Sequence, residues 1–328
     1  MHTPFIYSTS RVNTLTQYLL TKTDIERLLV AEPGDDLESA LKETYLAPFV
    51  ARVDSEDIAD GIEHTLIDAK KLIHRIAPAG DMFRVLWVQY DIHNLRVFAK
   101  ATAKGYSLED CKPYVSKRGS YDPEYLHSHA EAGTLNRLQS DWQVAYDEAV
   151  RVVAAGEINK VDGIFDAVYF ATSERIVTAS SDAFIKKYFK AVIDMFNVKG
   201  RLRTIEHKHS DTTPTFITGG TFQAEEMETK DQIFQALSKL DGADFWSDAI
   251  EYYEETGNTT RIDARSAEYI LTLSRQASFD MFSSASLVLY YLQCKQSAAN
   301  VRTIVVGKNS GMKEEDIRAN LKMAYVNE

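Results

Sequence analysis

Two histidine pairs, His127 with His129 and His207 with His209, are the residues whose type and spacing come nearest to a metal site. An HxH pair serves zinc when both imidazoles leave one face of a strand and a third ligand converges on them. Here the first pair follows "YDPEYL", which reads as the start of a helix, and residues two apart on a helix point in different directions. No HExxH sequence or HD pair supports either one. Exposed or helix-end histidines are expected, and no metal or cofactor is.

Other reactive constellations are equally thin. "VVGKNS" at 305–310 has Arg302 where a phosphate loop needs its first glycine, and no Ser or Thr directly after Lys308, so it is expected to be a turn between helices. "FITGGTF" at 216–222 carries Gly219 and Gly220 without the spaced glycines of a dinucleotide site, and reads as a turn. There is no GxSxG nucleophile elbow, and Cys111 and Cys294 are too isolated in sequence for a disulfide framework or a CxxC metal site. Acidic runs such as "AEEMETKD" at 224–231 and "EEDIR" at 314–318 suit solvated helix faces and first turns. No catalytic residue is named from this pattern.

The elements that would position any site come next. The chain has 328 residues, 45% hydrophobic and 26% charged, enough for two or three ordinary globular domains. Its formal charge of -11 argues against a general nucleic-acid binder, which needs a basic footprint. The start "MHTPFIYSTSR" does not read as a signal peptide, and the longest apolar stretches, such as 286–294, are too short to span a bilayer. A reducing compartment is expected, with any membrane association made through partners.

Seven prolines, none after Pro214, leave room for long helices. Ile62, Leu66, Ala69, Ile73 and Ile76 make one apolar stripe at helical spacing, and Phe282, Ala285, Leu289 and Leu292 repeat the rhythm near the other end. "TIVVG" at 303–307 is the best strand candidate, and "FRVLWV" at 83–88 is too continuous to assign. The expected fold is all-α.

Asparagine 94, in the apolar helical stretch "DIHNLRVFAK", recurs as Asn197 and Asn300, each 103 residues on. Spacing alone proves little, but the flanks agree. Leu95, Val198 and Val301 follow directly, then the cations Arg96, Lys199 and Arg302, and Leu86, Phe189 and Leu292 stand eight positions before. Asp91 and Asp194 lie three before the first two asparagines, where the third copy has Ser297. A second run, Leu37, Leu135 and Ile233 with Ala40, Leu138 and Ala236, is spaced by 98, and glycine-led starts at 119 and 220 mark new copies. Three tandem, related helical domains are expected, at 1–118, 119–218 and 219–328. Asn94, Arg96, Asn197, Lys199, Asn300 and Arg302 form the repeat signature, with the amides expected to bond backbone groups where a long helix meets the next segment.

These residues carry a resemblance. "YSTSRVNTLTQYLLTKTDIERLLVA" at 7–31, the helix running into "DIHNLR", "DMFNVKGRLR" at 194–203, "FITGG", and "NVRTIVVGKNSGMKEEDIR" at 300–318 together resemble the C subunit of prokaryotic V-type (A-type) ATPases, the family whose eukaryotic counterpart is the d subunit. The resemblance implies a funnel of three related domains around a pseudo-threefold axis, with no catalytic site. It implies a rotor part that receives the foot of the central-stalk coiled coil, beside a small stalk subunit, and rests on the membrane proteolipid ring. It places the chain on the cytoplasmic, inner face of the membrane, held there by partner subunits. Ser297, and Lys199 with Arg203 in place of a single arginine, depart from a strict repeat. The residues by themselves leave two alternatives open: a free-standing helical scaffold, or a metal-dependent hydrolase built on the four histidines.

Overall fold

The computed structural model describes residues 5–50, 58–78, 80–206 and 215–322. Every regular element among them is helical. In chain order the α-helices are α1 (Ile6–Thr16), α2 (Lys22–Val30), α3 (Asp35–Lys42), α4 (Ala47–Val50), α5 (Ile58–Ile76), α6 (Arg84–Lys104), α7 (Leu108–Cys111), α8 (Pro123–Glu131), α9 (Trp142–Ala154), α10 (Lys160–Ala179), α11 (Ala183–Glu206), α12 (Lys230–Asp241), α13 (Ala243–Thr256), α14 (Thr260–Ala277), α15 (Ala285–Asn309) and α16 (Glu314–Ala319).

One order of elements recurs. Short helices come first, then two long ones joined by a short connection: α5 and α6, α10 and α11, α14 and α15. One short helix of each set, α2, α8 or α12, is opened by a capping side chain, Thr21, Asp122 or Thr229, which accepts backbone N–H groups that the first turn leaves without partners. Four residues after each cap stand Ile25, Leu126 and Ile233, all with no exposed surface. The set spaced by 98 residues therefore does not mark matching positions: Leu37 lies in α3, Leu135 opens a 3-10 turn at Leu135–Arg137, and Ile233 lies in α12. Connections of unequal length shifted the register of the short helices, while the long helices kept theirs.

By contacts the chain divides into two compact units, Met1–Gly80 with Leu271–Glu328, and Asp81–Ile270. In the first, α15 runs along α5, α1 packs on both, and α16 folds back on α15. In the second, α6 is the centre, packed by α8, α9 and α10, and α11 follows on α10 and meets α12. Its core gathers Leu95, Phe98, Leu126, Leu135, Trp142 and Phe165, with Trp142 Nε1 donating to Thr172 Oγ1 at 3.0 Å. A long helix thus packs on helices of another repeat, so the compact units cut across the sequence repeats.

Burial decides the helices whose sequence was ambiguous. Ile62, Leu66, Ala69 and Ile73 form the buried stripe of α5, with Ile76 half-buried at its end. The stripe proposed from Phe282 fails, because Phe282 precedes α15 and is 69% exposed. Helix α15 is instead buried at consecutive positions, Ala285, Ser286, Leu287 and Val288, and only a narrow line that includes Lys295, Arg302 and Val306 stays exposed, so it has no single apolar stripe to find. The strand expected at 303–307 lies inside this helix, where packing overrides the β-branched run. "VVGKNS" is likewise the last turn of α15 and not a loop, the reversal coming only at Ser310 and Gly311, with Gly311 at φ +68°. Gly307 is needed for space, since a Cβ there would stand 2.7 Å from Ile317 Cγ1 on α16. "FRVLWV" closes a 3-10 turn at Phe83 and begins α6.

Candidate functional site: a strap clamped to three long helices

Asn94 sits in the middle of α6 with no exposed surface. Its side chain holds both backbone groups of one residue: Nδ2 donates to Ser116 O at 2.8 Å, and Ser116 N donates to Oδ1 at 2.8 Å. A carboxamide can meet a peptide group in this way because it carries the same donor and acceptor pair. Asn197 on α11 does the same to Ile217, both bonds at 2.8 Å, and Asn300 on α15 to Lys322, at 3.3 and 3.0 Å. The clamped residue lies 22, 20 and 22 positions after its asparagine. In each case the chain leaving a long helix is strapped back along it.

One helical turn earlier the acids work on the same strap. Asp91 accepts from Ser120 N (Oδ2, 2.9 Å) and Tyr121 N (Oδ1, 3.1 Å), and Asp194 Oδ1 accepts from Thr221 N at 2.7 Å. Gly119 and Gly220 are the residues that let the strap pass so close: a Cβ would stand 2.2 Å from Asp91 Oδ1 and 2.4 Å from Asp194 Oδ1. Neither has a positive φ, so the requirement is room and not backbone conformation. Burial raises the Asp194 carboxyl above the ordinary carboxylate range, against the pull of its bonds to Thr221. Its Oδ2 is buried with no hydrogen-bond donor among the described residues. Ser297 leaves the third copy without the acid. The aspartates and the glycine-led starts were both visible in the sequence; their contact was not, because nothing in the spacing shows that a loop returns to its helix.

The first strap is fastened at further points. His93 Nε2 lies 2.8 Å from Tyr114 O, and the Arg118 guanidinium covers the Tyr90 ring at 4.2 Å while donating to its hydroxyl at 2.9 Å. In the second, Arg201 lies over the Phe216 ring at 5.4 Å.

The signature cations behave unequally. Arg96 reaches Asp166 on α10 (Nη2 to Oδ1, 3.1 Å) and Asp162 (Nε to Oδ1, 3.3 Å). Lys199 Nζ lies 3.2 Å from Asp263 on α14, with Arg203 3.9 Å from the same carboxylate. Arg302 is exposed and makes no ion pair among the described residues. Asp166 is raised by burial, opposed by the Arg96 charge. Because these pairs are part-exposed, Arg96→Met is expected to cost no more than about 1 kcal/mol in denaturant unfolding, and Arg302→Met nothing measurable.

The first histidine pair does not assemble into a metal site. His127 is buried edge-on against Phe98, ring centroids 4.9 Å apart, with Nδ1 3.5 Å from Glu131, and His129 Nδ1 meets Thr134 Oγ1 at 2.8 Å. His207 and His209 lie outside the described residues. No group of three or more His, Cys, Asp or Glu among the described residues could hold a metal ion. A cleft of about 610 Å³ beside the end of α6 is lined by Thr102, His127, Glu131, Tyr146 and Asp147 among others, with Tyr146 Oη spent on Thr102 Oγ1 at 2.8 Å and Asp147 on Gln143 Nε2 at 2.8 Å. Both cysteines are buried free thiols, Cys294 pushed up to about 12 by desolvation. No described helix is long and apolar enough to cross a membrane.

A clamp built three times is the structural signature of this chain, and one known family matches the chain over nearly its whole length. The profile of the ATP synthase (C/AC39) subunit fits residues 8–320. The chain belongs to this family. Among curated members, it is 23% identical over 276 residues to the A-type ATP synthase C subunit of Methanothermobacter thermautotrophicus, covering 78% of this chain and 71% of that one. It is 20% identical over 341 residues to the Methanocaldococcus jannaschii A-type ATP synthase C subunit, covering 96% and 86%. With the V-type sodium ATPase C subunit of Enterococcus hirae it shares 19% over 318 residues, 94% of each chain. For this family member the repeated clamp, and not a reactive cluster, is the organised polar feature of the described residues.

Proposed function

We propose that the chain is a non-catalytic subunit of a rotary A/V-type ATPase, a socket that couples the central-stalk coiled coil and its small stalk subunit to the membrane proteolipid ring. The observation that carries the proposal is the family match across residues 8–320, which leaves almost no part of the chain outside the likeness. Relatives named as the C subunit of A-type ATP synthases and of a V-type sodium ATPase support the same complex. On this reading the three repeats are three related domains, near 1–118, 119–218 and 219–328, and the protein works on the inner face of the membrane through its partners.

The physical requirements of such a part fit the chain. A coupling piece needs stiffness and non-slipping interfaces and no chemistry of its own. Amide clamps stiffen each strap by tying it to a buried long helix, and a carboxylate adds to the clamp in the first two. Long helices also pack on helices of another repeat, α6 on α10 and α15 on α5.

Affinity-tagged chain, expressed in its source organism and recovered from gently solubilised membranes, tests the proposal. Stalk and proteolipid subunits are expected to co-purify with it. Recovery of the chain alone would return the account to a free-standing helical scaffold.

A further inference from the structure

Asp194 is a buried titratable group that its clamp leaves half-used. It is 1% exposed on α11, and among the described residues only one of its oxygens is bonded: Oδ1 accepts from Thr221 N at 2.7 Å, while Oδ2 is buried with no donor. The first copy is built differently. Asp91, with no exposed surface, divides its oxygens between two amides, Oδ2 taking Ser120 N at 2.9 Å and Oδ1 taking Tyr121 N at 3.1 Å. The second strap nevertheless lies directly on its carboxyl, since a Cβ on Gly220 would meet Asp194 Oδ1 at 2.4 Å and Ile193 Cγ2 at 3.0 Å.

The surroundings do little to hold a charge there. Lys190, exposed and one turn earlier on α11, is the cation that acts on the carboxyl, and its pull is the weakest of those on it. From α14 comes Tyr269, 9% exposed, whose hydroxyl is kept protonated by burial, by Asp194 and by Asp241 at the end of α12. From α10 comes Phe170, an apolar ring set against Phe189 and Phe196 of α11. Burial raises the Asp194 carboxyl above the ordinary range, against the pull of Thr221 and, more weakly, of Lys190.

A neutral carboxyl in this place leaves one unpaired hydroxyl, whose desolvation costs far less than that of a charge. Thr221 N can still donate to Oδ1 when Oδ2 carries the proton. We infer that the strap after α11 is a proton-linked latch, lying closest on its helix when Asp194 carries a proton on Oδ2 and loosening at its Thr221 end as that proton is lost. Asn197, which has no proton to lose, holds the Ile217 end at any pH. The closed strap binds the proton more tightly than the open one. Its contribution to stability is therefore full below the ordinary aspartate range and declines as pH rises through the raised value. The latch belongs to the chain itself, whatever partners it joins.

Amide hydrogen exchange in the full chain reads the latch without any substitution. With the intrinsic rate divided out, protection at Thr221 is expected to fall at least about threefold between about pH 5 and about pH 8. Asp194→Asn keeps an acceptor for Thr221 N and removes the proton. Its Thr221 protection is expected to stay level over the same range and, at the upper end, to exceed that of the wild type. Asp91→Asn, where one carboxamide oxygen cannot serve two amides, sets the scale of a lost anionic clamp in thermal unfolding. A wild-type profile level in pH, or one whose slope survives Asp194→Asn, overturns the latch. So does an Asp194→Asn chain that loses thermal stability at both ends of the range as Asp91→Asn does, because the strap would then be held by the anion.

Discussion

Asn94→Leu is expected to destabilise the chain by about 1–3 kcal/mol for each Ser116 backbone group left buried and unpaired. Leucine fills a similar volume, so the loss is one of hydrogen bonding and not of packing. Asn94 has no exposed surface and Ser116 is 9% exposed, so water cannot easily replace either bond. The same substitution at the other two copies makes a graded series. Ile217 is half-buried and Lys322 exposed, and the Asn300 bonds are the longest at 3.3 and 3.0 Å. The expected order of loss in denaturant unfolding is Asn94→Leu, then Asn197→Leu, then Asn300→Leu. No loss at position 94 would show that the clamp contributes nothing to stability, and equal losses at all three would show that burial of the clamped group does not set the size of the effect.

Gly119→Ala is the second large effect, for a steric reason. The new methyl would lie 2.2 Å from Asp91 Oδ1, closer than any real contact, so either the carboxylate gives up its bonds to Ser120 and Tyr121 or the strap lifts from α6. A cost of about 1–3 kcal/mol is expected, the range for overpacking a closed site. The third repeat suggests the compensation, since it carries Ser297 at the acid position. Asp91→Ser alone should cost stability by removing the two amide bonds, whereas Gly119→Ala added to Asp91→Ser should cost little more. A double-mutant cycle on the four proteins is expected to show strong non-additivity, and additive losses would mean that the glycine and the acid do not meet.

Legibility in the sequence tracked the kind of physics involved. The all-α fold could be read from sparse prolines and from the α5 stripe, because a helix with one buried face writes its period into the chain. Helix α15 wrote no apolar stripe, being covered over most of its circumference with only a narrow line through Lys295, Arg302 and Val306 exposed, and its β-branched 303–307 segment read as a strand for the same reason. The long-helix repeat was legible because Asn94, Asn197 and Asn300 keep a constant spacing. The short-helix repeat was misaligned because its signal is a cap followed by one buried aliphatic, Ile25, Leu126 or Ile233, too brief to survive unequal loops. What the amides hold, and that Gly119 and Gly220 lie against Asp91 and Asp194, depends on how the chain returns on itself, which local spacing does not encode. Phe282 was read as part of a buried stripe and is 69% exposed, since an apolar residue at helical spacing looks the same in sequence whether or not the helix reaches it.

Ternary capture tests the central claim most directly. Proteolipid ring is immobilised in detergent, washed with or without this chain, and then offered the stalk coiled coil. The account predicts that stalk is retained only when the chain is present, in one-to-one ratio with it. Stalk retained equally without the chain, or chain that binds ring and stalk only in competition with one another, would contradict a socket that couples the two.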